Sequence, residues 1–168
     1  MIFGPRVVIV GNSGSGKSTL ARELGQGAGV PVTDLDRVHW LDKVGLKRDE
    51  DLARAMVSAL AAKPAWIIEG VYGWLAEVAL PRATSLIWLD LPWNVCREGL
   101  AARGPWSGAT TEEHAAFLGW AEAYRDRKTP SSFAGHLALF EGFPRTKRRL
   151  HSRSDIAVLL GAPRDGSR

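Results

Sequence analysis

The chain has 168 residues, 45% hydrophobic and 24% charged, a globular balance in which no stretch approaches the ~20 uninterrupted apolar residues of a membrane-spanning helix. Its net charge of +4 and sequence pI near 9.6 favour anionic partners such as nucleotides, phosphorylated metabolites or nucleic acid, without choosing among them. The single cysteine, Cys96, excludes an intramolecular disulfide and a four-cysteine zinc site. The expectation is one domain over residues 1–168. The apolar start, residues 1–10, has no basic leader and no small-residue cleavage site, which predicts a core strand of a cytoplasmic protein.

Residues 6–10 (RVVIV) are a β-branched run, residues 20–26 begin a helical pattern, and residues 30–35 (VPVTDL) form a second predicted strand, together a βαβ unit. Residues 48–63 have early acids and apolar positions at helical spacing, and Pro64 closes that helix before the strand-like run 66–68. A fourth apolar run, 85–89 (SLIWL), precedes Asp90 and Pro92, which read as the capped start of a helix through Cys96 towards Arg103. Apolar runs alternating with helices indicate a parallel sheet covered on both faces. Residues 104–143 then read as a mobile, helical, lid-like insertion, with an N-capped helix from about Thr111 to Lys128. Two runs in the tail, 146–151 and the more apolar 156–160, are each candidates for the last strand.

Gly11, Asn12, Ser13, Gly14, Ser15, Gly16, Lys17 and Ser18 match G-x-x-x-x-G-K-[ST] between a predicted strand and a predicted helix. Glycines at this spacing let successive backbone N–H groups face phosphate oxygens, and the following helix adds its own free N–H groups and positive dipole end. Lys17 is expected to reach the β- and γ-phosphates, Ser18 to ligate Mg²⁺, and Thr19 to add a phosphate contact. The only asparagines are Asn12 and Asn94, neither followed by lysine, so the guanine-reading Asn-Lys-x-Asp of GTPases is absent; so is the Leu-Ser-Gly-Gly-Gln of transporter ATPases. A small kinase using ATP and Mg²⁺ is left in front.

Four acids and a set of cations are the remaining chemical candidates. Asp34 and Asp36 follow the second strand at the carboxyl edge of the sheet, where alternation in an extended segment sets them on one side. Asp36 is expected to orient or deprotonate an acceptor hydroxyl, and Glu69, ending the third strand, to support the metal with Ser18. Asp90 reads as a helix cap. Arg103 and Arg125, with Arg97, Arg127 and Lys128, surround the insertion where a closing lid supplies cations to a transferring phosphoryl group. His39 and Trp40 can wall an acceptor pocket, the tryptophans inside apolar runs read as core, and Cys96 as a buried small hydrophobe.

With GNSGSGKST, VTDLDRVHW, WIIEGVY, LIWLDLPWNVCREGLAAR and RRLHSRSD in place, the chain resembles, over nearly its whole length, the adenylate-kinase-like P-loop proteins known as DNA topology modulation proteins or FlaR-like kinases. In that family the third segment reads W-I-I-D-G-N-Y, so Glu69 stands for an aspartate and Val71 for an asparagine. The resemblance implies a three-layer α/β/α fold with parallel strand order 2-3-1-4-5, a last strand at 146–151, a short helix capped by Ser154, and a loop 151–153 near the nucleotide base. Two functional readings stand. One is an ATP-dependent kinase for a nucleoside monophosphate or another small polar acceptor. The other is a nucleotide-binding regulatory protein that interacts with DNA, through the basic stretch RTKRRLHSR, with little or no kinase activity. A strand and an adenine loop account for that stretch more economically, and a membrane partner is not expected.

Overall fold

The computed structural model describes residues 3–41 and 45–161. Its centre is the β-branched run, strand β1 (Arg6–Gly11), buried from Val7 onward. Helix α1 (Lys17–Ala28) follows, starting three residues earlier than the apolar periodicity suggests, because Gly16 at φ +95° turns the chain directly into it. Next come the short strand β2 (Val32–Asp34), the single-turn helix α2 (Asp36–His39) and helix α3 (Glu50–Ala61), whose N-terminus is capped by the Asp49 side chain accepting from the Leu52 N–H. Strand β3 (Trp66–Gly70), helix α4 (Gly73–Ala79), strand β4 (Ser85–Leu89) and helix α5 (Trp93–Arg103) continue the alternation.

The five strands are parallel in the order β2-β3-β1-β4-β5, as expected, with β5 at Thr146–Leu150. Alternating side chains divide between two cores. Val8, Val10, Ile68, Leu86 and Trp88 pack with α3 and α4, whereas Val7, Ile9, Ile67, Ile87 and Leu89 pack with α1. Burial on both faces explains why the strands read as continuous apolar runs. No helix among the described residues is long and apolar enough to cross a membrane.

The segment between α5 and β5 holds two helices rather than one. Helix α6 (Thr111–Glu122) opens with a reciprocal cap between Thr110 and Glu113 and gives way to a tight turn at Ala123–Arg125, short of Lys128. Pro130, which lacks an N–H and disfavours a helical residue before it, keeps the chain irregular until helix α7 (Phe133–Gly142). The apolar run 156–160 is not a strand but part of helix α8 (Arg153–Gly161). Its cap is Ser152, not Ser154: the Ser152 hydroxyl accepts from the Asp155 N–H while the Asp155 carboxylate accepts from the Ser152 and His151 N–H groups.

Candidate active site

The phosphate loop curls because Gly11, Gly14 and Gly16 take φ values of +156°, +78° and +95°, which L side chains rarely adopt. It is also packed tightly from outside: a Cβ on Gly14 would overlap the Cys96 carbonyl oxygen of α5. From α8 the Arg153 guanidinium donates to the carbonyls of Ser15 at 2.6 Å and Gly14 at 3.2 Å, fixing the peptide planes of the loop. Lys17, only 8% exposed, donates through Nζ to the Asn12 carbonyl at 2.8 Å. The Asn12 side chain is committed within the protein, accepting from the Ser13 N–H and donating to the Ala121 carbonyl at the end of α6. Ser15 Oγ is buried without a partner among the described residues.

Glu69 lies in β3 beside β1 and is 2% exposed. Burial pushes its carboxyl group up from the usual range; Lys17 and the Ser18 hydroxyl counter that shift, and Asp34, opposite it in register, reinforces it. Asp34 and Asp36 do not share an extended side as the spacing suggests, because Asp36 opens α2. The Asp34 carboxylate accepts from the Asp36 N–H at 2.8 Å, and burial followed by the neighbouring Asp36 charge raises it too. Of this pair, Asp36 lines the cleft above the phosphate loop. Beside it, burial together with the Asp36 charge pushes the Tyr72 phenol far above its ordinary range, so Tyr72 keeps its proton. His39 stacks on Tyr72 with centroids 4.1 Å apart and meets Trp40 edge-on at 4.5 Å; burial, with Lys47 nearby, pushes its imidazole down.

The cleft has a volume of about 1340 Å³. Its floor is the phosphate loop with Lys17, Ser18 and Glu69. Asp36, His39, Trp40, Lys47, Tyr72 and Trp74 line the side towards β2. Gly99 and Arg103 of α5 face Arg153, Ile156 and Leu160 of α8 on the side towards β5. Trp106, Phe117, Trp120 and Arg127 come from the segment between α5 and β5.

No protein-family model and no curated protein matches the chain. Solved structures do match. They include a gluconokinase from Sinorhizobium meliloti (TM-score 0.58, 18% identity, 94% of this chain and 88% of the other covered). A shikimate kinase from Bacteroides thetaiotaomicron (0.57, 18%, 93% and 94%) is a second. A sugar kinase from a Janibacter species (0.53, 17%, 94% and 92%) is a third. The fold is that of the P-loop small-molecule kinases.

Within this kinase fold the cations are distributed differently from the simple expectation of a ring around the lid. Arg125 lies outside the cleft lining: its Nη2 donates to Asp90 Oδ1 at 2.7 Å, and Arg149 of β5 takes the other oxygen at 2.7 Å. Asp90, buried, is therefore the clasp of two arginines and not a helix cap; the cap position of α5 is Pro92, without a side-chain bond. Arg97 and Lys128 are exposed and also outside the lining. Arg103 and Arg127 reach the cleft, each against an aromatic ring of α6, 5.9 Å from Phe117 and 4.1 Å from Trp120. Cys96 is buried and unbridged, and burial raises its thiol.

A buried chain of hydrogen bonds ties the segment between α5 and β5 to the loop after β3. Trp88 Nε1 donates to the Tyr124 hydroxyl at 3.1 Å, that hydroxyl meets His136 Nδ1 at 2.7 Å, and His136 Nε2 meets the Val71 carbonyl at 2.9 Å. The carbonyl can only accept, so Nε2 carries the proton, Nδ1 accepts, and Tyr124 donates to it. Every member is satisfied in one orientation. Sequence reading singled out neither this chain nor Tyr72 and Trp120, since their roles depend on contacts between distant segments, and Arg153 entered it only as the end of the loop 151–153 that the family resemblance sets near the nucleotide base.

Proposed function

We propose that the protein is a Mg·ATP-dependent phosphotransferase whose acceptor is a small hydroxylated molecule. The observation that carries this reading is that one cleft presents a glycine-curled phosphate cradle with Lys17, a buried Glu69 beside Ser18, and the Asp36–Tyr72 pair on its acceptor side. The similarity to a gluconokinase, a shikimate kinase and a sugar kinase supports it, as does the resemblance to FlaR-like kinases. Backbone N–H groups of residues 11–19 and Lys17 hold the triphosphate. The donor set suits Mg²⁺: Ser18 offers a hydroxyl, and Glu69 is a buried carboxylate whose charge is costly until a cation neutralises it. No group of three or more His, Cys, Asp or Glu placed to hold a metal occurs among the described residues. Held by Ser18 and Glu69, Mg²⁺ would neutralise part of the charge of the triphosphate.

Asp36, with the Tyr72 phenol nearby, takes the proton of the acceptor hydroxyl as that oxygen bonds to the γ-phosphorus. ADP leaves with the electron pair of the broken P–O bond. Arg103 offsets the growing charge from the nucleotide side, and residues 104–143 serve as lid to a single domain spanning 1–168. A nucleoside monophosphate belongs in the acceptor panel, and a cytoplasmic setting supplies ATP and Mg²⁺. The DNA-binding alternative rests on RTKRRLHSR, yet most of those cations are engaged inside the molecule. Arg145 donates to the Leu80 and Ala83 carbonyls, Lys147 to those of Phe140 and Glu141, Arg149 to Asp90, and Arg153 to the phosphate loop.

The test is ADP release from Mg·ATP, scanned over hydroxylated metabolites, nucleosides and nucleoside monophosphates, with Lys17→Ala as control. Stimulation by one compound class, lost in the control, is the expected result. Nucleotide binding without stimulation by any acceptor would remove the kinase reading.

A further inference from the structure

Arg127 is anchored on one edge and unpaired on another. Its Nη1 donates to Thr129 Oγ1 and to the Ser131 carbonyl, both at 3.0 Å, and its guanidinium carbon sits 4.1 Å from the Trp120 ring centroid. Nε and Nη2 are buried and have no hydrogen-bond partner among the described residues. Those two nitrogens form the edge of the guanidinium plane whose parallel N–H groups match two oxygens of a carboxylate or a phosphoryl group. Buried donors on a cation are normally satisfied, because leaving them bare forfeits the solvation they had in water. Asp90, which clasps Arg125 and Arg149, makes no such pair with Arg127.

Location decides which ligand these donors serve. The turn carrying Arg127 is packed against the loop after β3: a Cβ on Gly73 would overlap the Pro130 carbonyl oxygen, and His136 is bonded to the Val71 carbonyl. Val71 and Gly73 flank Tyr72, which lines the cleft with Asp36 and whose phenol feels the Asp36 charge. Arg127, Thr129 and Ser131 therefore line the acceptor end of the cleft, and Arg103 and Arg153 line the side where α5 and α8 face the phosphate loop. Lys47 adds a second cation at the acceptor end.

We propose that Arg127 is the oxyanion-recognising residue of the acceptor site, so that the acceptor is a hydroxylated molecule that also carries a carboxylate or a phosphoryl group. This rests on the phosphotransferase reading for its hydroxyl, but the oxyanion subsite stands on its own contacts. Because Nε and Nη2 are shielded with the Trp120 ring stacked on the guanidinium, an entering oxyanion displaces side chains around Arg127, and Trp120 reports its arrival.

The experiment combines tryptophan emission titrations with ADP-release kinetics for the wild type, Arg127→Gln and Arg127→Lys, thermal melts confirming that each variant is folded. The panel pairs a neutral polyol with the matching sugar acid and sugar phosphate, and whichever anion drives turnover identifies the group recognised. The expected acceptor is one of the two anions, with its KM raised about 30-fold or more in Arg127→Gln, the loss of one charged, two-pronged pairing. Arg127→Lys, which keeps the charge but not the fork, falls between, and serves as the informative variant if the glutamine substitution does not fold. A neutral polyol as the best acceptor, or an unchanged KM in the variants, overturns the proposal. If no compound raises ADP release, the kinase reading fails separately and the emission titration decides: a saturable response to the anions alone, lost in the variants, retains the oxyanion site, and any other pattern removes it.

Discussion

Glu69 shows how a single burial choice sets chemistry. A carboxylate that is 2% exposed is disfavoured as an anion, and here its stabilisation comes from Lys17 and the Ser18 hydroxyl, both parts of the phosphate loop. The same negative charge that would draw a divalent cation repels a metal-free triphosphate. Glu69→Gln keeps the size of the side chain while removing the charge. The Mg²⁺ concentration for half-maximal turnover is expected to rise roughly 10- to 100-fold, while metal-free ATP binds at least as tightly as to the wild type. A metal titration at saturating ATP reads the first effect and calorimetry in a chelator reads the second; an unchanged metal requirement would remove Glu69 from the metal site.

At the scale of elements, glycines of opposite consequence sit in the phosphate loop and in helix α6. Gly14 combines φ +78° with a Cβ position that collides with backbone of α5, so Gly14→Ala must strain the loop or push α5 away. A cost of at least about 2 kcal/mol follows. Gly119 is an exposed interior residue of α6 with open space around its Cβ position, and Gly119→Ala should stabilise by about 0.5–1 kcal/mol through the unfolded chain. Urea midpoints at constant m-value check both signs. The contrast also shows why some elements were readable in the sequence and others were not. The phosphate loop announces itself because its glycines answer to local geometry, and β1, β3 and β4 because both their faces are buried. Strand β5 (TKRRL) is an edge whose charges are used for long-range bonds, Lys147 to α7 carbonyls and Arg149 to Asp90, so its polar sequence competed as a strand with the more apolar run 156–160. The residues of α8 are apolar enough to imitate a strand until the Ser152–Asp155 cap is seen. Asp90 and Arg125, 35 positions apart in the chain, could not be paired from spacing alone.

For the whole molecule, the chain from Trp88 through Tyr124 and His136 to Val71 joins β4, the turn after α6, α7 and the loop after β3, and it works only with a neutral imidazole. His136 is fully buried, and burial foremost, with the charges of Lys17 and Arg127, holds its pKa down to about 3 despite the bond to the Val71 carbonyl. The unfolded chain, with an ordinary histidine, takes up a proton near pH 6.5 that the folded protein refuses. The stabilisation is thus complete above that pH and is lost progressively as the pH falls towards 3. By pH 5 this one group should have cost about 2 kcal/mol, a slope of about 1.4 kcal/mol per pH unit. Glu69 and Asp34 act in the opposite sense, since their raised values let the folded state bind protons first and gain stability as the pH falls through the carboxylate range. Their opposition confines the His136 signal to the interval between about pH 6.5 and 5. Urea unfolding across that interval should show the slope in the wild type and its absence in His136→Gln, which can still bridge Tyr124 and Val71 but does not titrate. A slope that persists in the glutamine variant would mean that another group carries the acid sensitivity. Loss of the slope, accompanied by a raised acceptor KM with kcat little changed, would show that the buried chain holds the loop after β3 in register with the turn after α6.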